Sequence, residues 1–208
     1  MAPRGISNAR LAAWAAALGI ALLPQAVLAE GAQQPGRIIA ALTADWTGDG
    51  HLDAALIIRA EDGMADLVML TGGGLAGLEP AGRAEAAIFA GPMAGQTPSL
   101  APRTDSSFVL HIEQSAIGRT PWETEMTIAW RGGRFVVAGF THRFYDRMDP
   151  ERQGHCDVNL LNGRYVVNYA PGTDQAPIRR EGQGEERAFA LDALDEYYLP
   201  AVCAAIFH

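Results

Sequence analysis

Three aspartates recur at every fourth residue in the stretch Asp45-Trp46-Thr47-Gly48-Asp49-Gly50-His51-Leu52-Asp53. Carboxylates this close repel one another, and a cation is the direct way to relieve that repulsion. The donors are oxygens, which suits a hard ion such as calcium, held by six to eight oxygen ligands at about 2.3–2.6 Å. Positions 1, 3, 5 and 9 of the stretch are Asp45, Thr47, Asp49 and Asp53, each with a side-chain oxygen. His51 at position 7 would offer its backbone carbonyl, because an imidazole nitrogen is a poor ligand for calcium. Gly48 and Gly50 let the chain wrap without a Cβ clash. Without a cation the loop is expected to be strained or mobile. Trp46 is expected to cover the apolar side of the loop.

An EF-hand would need a bidentate Glu at position 12 and a helix on each side. Position 12 is Leu56, inside an apolar run that reads as strand. The pattern Asp-x-Thr-Gly-Asp-Gly-x-x-Asp followed by such a strand resembles the calcium loop of FG-GAP/VCBS-type repeats. The resemblance covers residues 38–74, including the later Ala65–Gly74 strand and turn. It implies a loop joining two strands of a propeller-blade-like unit, with Asp45, Thr47, Asp49, the His51 carbonyl and Asp53 as ligands. The chain carries one copy, whereas a propeller needs several four-stranded blades. A full propeller of such repeats is therefore excluded.

Other chemistries have less support. The chain has no lysine, since all sixteen basic residues are arginine. That removes a Walker-type P-loop, a Schiff-base lysine and a lysine general base. No serine sits in Gly-x-Ser-x-Gly. Glu113, Glu123, Glu125, Asp146 and Asp157 could supply a carboxylate pair for glycoside hydrolysis only if the fold brings two together. His142, His155 and His208, with the cysteines, match no short zinc-ligand spacing. Trp122, after Pro121, is a candidate for stacking on a sugar or for the edge of the core.

The elements that must position these residues read as strands. Runs at 37–45 and 53–60 flank the acidic loop, and 65–72 follows a turn at Glu61-Asp62-Gly63. Residues 75–103, rich in Ala, Gly and Pro, support one weak strand near Ala86–Ala90. Alternation resumes at 107–114. Arg131-Gly132-Gly133 and Asn162-Gly163 each mark a hairpin, and 171–184 reads as a loop. A short helix is expected over 191–199, capped by Asp192 and stopped by Pro200. The fold class is mainly β: antiparallel sheets and hairpins, a blade-like unit followed by C-terminal hairpins, and a short C-terminal helix.

Residues 1–29 have the form of a signal peptide, with Arg4 and Arg10 ahead of an apolar run from Leu11 to Leu23 and small residues at Val27 and Ala29. Residues 30–208 then form a single domain. Cleavage removes two of sixteen basic residues and none of the twenty-four acidic ones, so the charge moves from −8 to 14 − 24 = −10. So acidic a chain is not expected to bind nucleic acid, nor to remain inserted in a membrane once cleaved. A periplasmic or secreted location follows. Cys156 and Cys203 are expected to form a disulfide there. The reading is an exported, calcium-binding, non-catalytic β domain that serves a structural role or binds a protein or glycan. The alternative is a periplasmic hydrolase whose carboxylates meet only in the fold.

Overall fold

Apolar alternation, interrupted by Gly- and Asp-containing turns, carries most of the chain into antiparallel strands. The structure, a computed structural model, describes residues 37–207. The signal-peptide reading of residues 1–29 lies outside the described residues. Four strands make the first sheet: β1 (Ile38–Ala44), β2 (Asp53–Arg59), β3 (Met64–Gly72) and β4 (Leu78–Phe89). They are neighbours in chain order, each antiparallel to the next, and the acidic loop joins β1 to β2.

The second sheet begins with β5 (Ser99–Thr104), β6 (Ser107–Gln114), β7 (Trp122–Arg131) and β8 (Arg134–Tyr145). It continues through β9 (Arg152–Asn159), β10 (Arg164–Pro171) and β11 (Ile178–Gln183). These seven also lie side by side in chain order. The short β12 (Phe189–Ala190) pairs with Val136 and Val137 of β8, extending the edge beyond the point where β9 stops.

The two sheets share one core. Ile57, Leu67, Met69 and Ile88 of the first meet Phe108, Leu110, Met126, Val137, Phe140 and Val158 of the second. Each such side chain contributes roughly 1.5–3 kcal/mol by leaving water. In β8 the alternation changes phase at a bulge, where Thr127 pairs with Gly139 and Ile128 with Val137. The extra residue lets Phe135, Val137 and Phe140 all join the core.

Cys156 of β9 and Cys203 are disulfide-bonded across 47 residues, with Cα atoms 5.8 Å apart. Cys203 lies in the short helix α1 (Ala201–Phe207), so the bond ties the end of the chain to the centre of the large sheet. Among the described residues no helix is long and apolar enough to cross a membrane.

Several local expectations change. The helix does not occupy 191–199, where only a 3-10 turn at Leu191–Ala193 forms. It starts after Pro200, whose carbonyl accepts N–H bonds from Cys203 and Ala204. Proline has no N–H to lose at a helix start, so it opens this helix instead of closing one. Residues 75–103 hold two strands, β4 and β5, rather than one weak one. β4 is broken by two register shifts and by Ala86 at φ +45°. β5 carries Pro102 and lies at the sheet edge, where a missing N–H is tolerated. Within 171–184, β11 forms as the opposite edge strand, with every residue exposed. The hairpin at Asn162-Gly163 turns through four residues, since Asn159 pairs with Arg164. Leu160 in that turn is buried in the core. Gly132 and Gly133, at φ 59° and 78°, do form a two-residue turn, with Arg131 paired to Arg134.

Candidate functional site

The acidic loop is built around backbone N–H groups. Asp45 Oδ1 accepts from Gly48 N (2.7 Å) and Asp49 N (3.1 Å), and its Oδ2 accepts from Gly50 N (2.9 Å). The Thr47 hydroxyl approaches Asp45 Oδ1 at 3.4 Å. Desolvation opposes the Asp45 charge, but these bonds prevail and hold its pKa below the ordinary value. Asp49 Oδ1 accepts from His51 N at 2.9 Å. Gly48 and Gly50 take φ of 77° and 86°, the conformation that lets successive N–H groups point at one carboxylate.

Asp53 is different, because it has no exposed surface. Its Oδ2 accepts from Trp46 N (2.8 Å) and Thr47 N (3.0 Å), and its Oδ1 from Gly72 N (3.0 Å). One side chain thus ties the start of the loop to the end of β3. The contact is close: a Cβ on Gly72 would lie 2.6 Å from the Leu52 carbonyl oxygen. Trp46, held from behind by Asp53, does more than cover the loop. It is buried between the sheets, 4.8 Å from the Phe108 ring and 6.3 Å from that of Phe135.

The donor set of this loop is all oxygen and chemically suits calcium. Its exposed mouth carries Asp49, with Thr47 half-buried beside it, and Asp49 spends only Oδ1 on a backbone N–H. The Asp53 carboxylate is committed to three N–H groups and faces inward. Among the described residues no three His, Cys, Asp or Glu side chains are gathered so as to hold a metal ion. Asp49 is exposed and Asp45 half-buried, while Asp53 is buried on its three N–H partners.

A second feature lies on the large sheet, where a cleft of about 640 Å³ opens. Strand register places Glu113, Glu123, Arg143, His155, Asn168 and Arg179 as successive partners across β6 to β11. All six line the cleft, as do Trp122, Tyr145 and Tyr169. No short motif could reveal this row, because its members come from six strands. The alternation in 107–114 is the available signal for its outward-facing positions.

The charges in the row are largely paired. Arg143 reaches Glu123 at 2.9 Å and Glu125 at 3.6 Å, and His111 lies 3.7 Å from Glu123. The Arg143 hydrogen bond, outweighing desolvation, holds the Glu123 carboxyl below its usual range. Burial, with the Arg143 charge second, lowers the His155 pKa and favours its neutral imidazole. Arg179 donates to Asn168 at 3.1 Å and pairs with Glu181 at 3.0 Å. Exposed pairs of this kind contribute about 0–1 kcal/mol each, so they act chiefly to orient side chains.

The remaining candidate acids are also engaged. Asp157 accepts from the Thr141 hydroxyl at 2.8 Å. Asp146 is covered by Arg119 at 2.7 Å and Arg152 at 3.4 Å, and has no exposed surface. The Arg119 bond is the largest influence on Asp146 and, against desolvation, brings its pKa down to about 2. The carboxyl that burial pushes upward is Glu196, which lies outside the cleft. No protein-family model, curated protein or solved structure matches the chain.

Proposed function

We propose that the protein is an exported, non-catalytic binding domain whose large-sheet cleft holds a glycan and whose acidic loop binds calcium as a structural clamp. The observation that carries the reading is the cleft of about 640 Å³, with the exposed Tyr145 beside a row of hydrogen-bonding side chains. Aromatic faces pack on the apolar faces of sugar rings, while Arg, Asn and Glu side chains bond the hydroxyls. Pairing keeps Glu123 ionised, which suits an acceptor of sugar hydroxyls better than a general acid. The disulfide suits an oxidising compartment.

The calcium reading rests on residue spacing and on the setting of the loop between adjacent antiparallel strands of a four-stranded meander. That setting agrees with the FG-GAP/VCBS resemblance. Asp45, Thr47, Asp49 and the His51 carbonyl would hold the ion at the loop mouth, with Asp53 bracing them or adding its remaining lone pair.

Calorimetric titration with a panel of neutral and uronate-containing hexasaccharides tests the binding role. Saturable binding by at least one, weakened about tenfold in Asn168→Ala and Tyr145→Ala, is expected. Binding by none of them would remove the glycan reading. A second reading, hydrolysis, has one observation in its favour: Glu113 and Glu123 are direct cross-strand partners on the cleft wall. Turnover of the bound sugar that Glu123→Gln abolishes would establish it instead.

A further inference from the structure

The outward face of the large sheet carries more than the cleft. A second hollow, of about 270 Å³, opens further along the same strands. Register sets Thr127, Gly139 and Asn159 side by side on β7, β8 and β9, and all three line it. Two residues along each strand come Glu125, Thr141 and Asp157, and two further come Glu123, Arg143 and His155 of the cleft row. Successive side chains of a strand alternate between faces, so steps of two keep these three rows on one face. Thr141 and Asp157 border the hollow, and Arg143 and His155 border the cleft. The two openings thus lie one such step apart.

Gly139 and Arg143 are separated by roughly 13 Å, at about 3.3 Å per strand residue. One sugar ring does not span that distance, but a chain of them does. Gly139 puts bare backbone between the side chains of its two neighbours. The Thr127 hydroxyl leans over it, since a Cβ on Gly139 would lie 3.0 Å from Thr127 Oγ1. Asn159 is exposed and gives its Oδ1 to the Leu161 N–H at 3.0 Å, which leaves its amide nitrogen as a donor toward a ligand.

The chain has a formal charge of −8, yet these openings are balanced. In the cleft Arg143 and Arg179 offset Glu113 and Glu123. At the hollow Arg103 and Arg131 offset Asp157 and Glu125, the last lying 3.9 Å from Arg103. A balanced lining of hydroxyl, amide and charged groups has no net attraction for an ion and complements an uncharged ligand rich in hydroxyls. We infer that the ligand is a linear, uncharged polysaccharide lying along β8 and β9, with one stretch in the cleft and the next in the hollow. The inference rests on the glycan reading of the cleft and names the kind of glycan. Joining the two contacts in one ligand raises affinity, because the second forms at high effective concentration.

The test is calorimetric and 15N chemical-shift titration with β-1,4-linked glucose, mannose and xylose oligomers, each as the disaccharide and the hexasaccharide. One series is expected to bind at least about tenfold more tightly as the hexasaccharide. That hexasaccharide should add shifts at Thr127, Gly139 and Asn159 to those in the cleft. Thr127→Val removes a hydroxyl at constant shape, and Asn159→Asp keeps the acceptor for Leu161 while removing the amide donor. Each should weaken the hexasaccharide about fivefold and leave the disaccharide unchanged, whereas Tyr145→Ala should weaken both. A galacturonate hexasaccharide should bind more weakly than the neutral one. Equal affinity for both lengths with shifts confined to the cleft, or no effect of either variant, overturns the inference and leaves the glycan reading of the cleft standing. Tighter binding of the galacturonate hexasaccharide overturns the uncharged ligand in the same way. Binding by no sugar removes both.

Discussion

Removing the Asp53 carboxylate should destabilise the protein more than removing either other acid of the loop. Asp53→Ala leaves the N–H groups of Trp46, Thr47 and Gly72 without their acceptor. Hydrogen bonds to a charged group contribute about 1.5–3 kcal/mol each, which for three bonds gives a loss of at least about 4 kcal/mol. The site is fully buried, so water has no ready route to replace the carboxylate. Trp46, packed on Phe108 and Phe135, would also lose the support that holds it between the sheets. For a domain of this size, about 4 kcal/mol lowers the melting temperature by roughly 8–16 °C. Differential scanning calorimetry with and without calcium is the assay. Asp49→Ala, which gives up one exposed bond, should shift the midpoint by only about 1–2 °C in calcium-free buffer. Equal, small shifts in both variants would refute the view that Asp53 locks the loop to β3.

Other consequences can be measured on the same material. Reduction, or Cys203→Ser, should cost about 4 kcal/mol in the chain-entropy model for a 47-residue separation, read as a lower denaturation midpoint in urea. His142 has its pKa lowered to about 4, chiefly by burial, with Glu123 opposing. The unfolded imidazole takes up a proton near pH 6.5 and the folded one near 4, so stability is full above pH 6.5 and falls between 6.5 and 4. The loss should approach roughly 2–3 kcal/mol and should be absent in His142→Gln, as followed by urea midpoints against pH. Asp146 is depressed from 3.8 to about 2. Its contribution is present above pH 3.8 and disappears as pH falls toward 2, so Asp146→Asn should flatten the stability profile across that window.

The mainly antiparallel β architecture was legible because turns and alternation are local. Gly132-Gly133 announces a two-residue turn whatever surrounds it. The failures share a cause. β4 and β5 carry Pro80, Gly82 and Pro102, and β11 is polar after Ile178, so edge position and partner strands, not propensity, make them strands. Pro200 marks a helix stop as readily as a helix start in the sequence, because the same residue serves at either end. The acidic loop stood out by spacing, yet its spacing did not reveal that Asp53 turns inward to hold Trp46. The cleft row is invisible in the sequence, since it assembles side chains from six strands. The disulfide was legible by counting: two cysteines in a chain read as exported leave one pairing.

The central claim, that the large-sheet cleft is the binding surface, is tested most directly by a chemical-shift map of the 15N-labelled protein titrated with the hexasaccharide panel. The account predicts saturable shifts along the row at Glu123, Arg143, His155 and Asn168, and at Tyr145, with the sugar recovered intact. Shifts confined to other surfaces, or no shifts with any sugar, would contradict it.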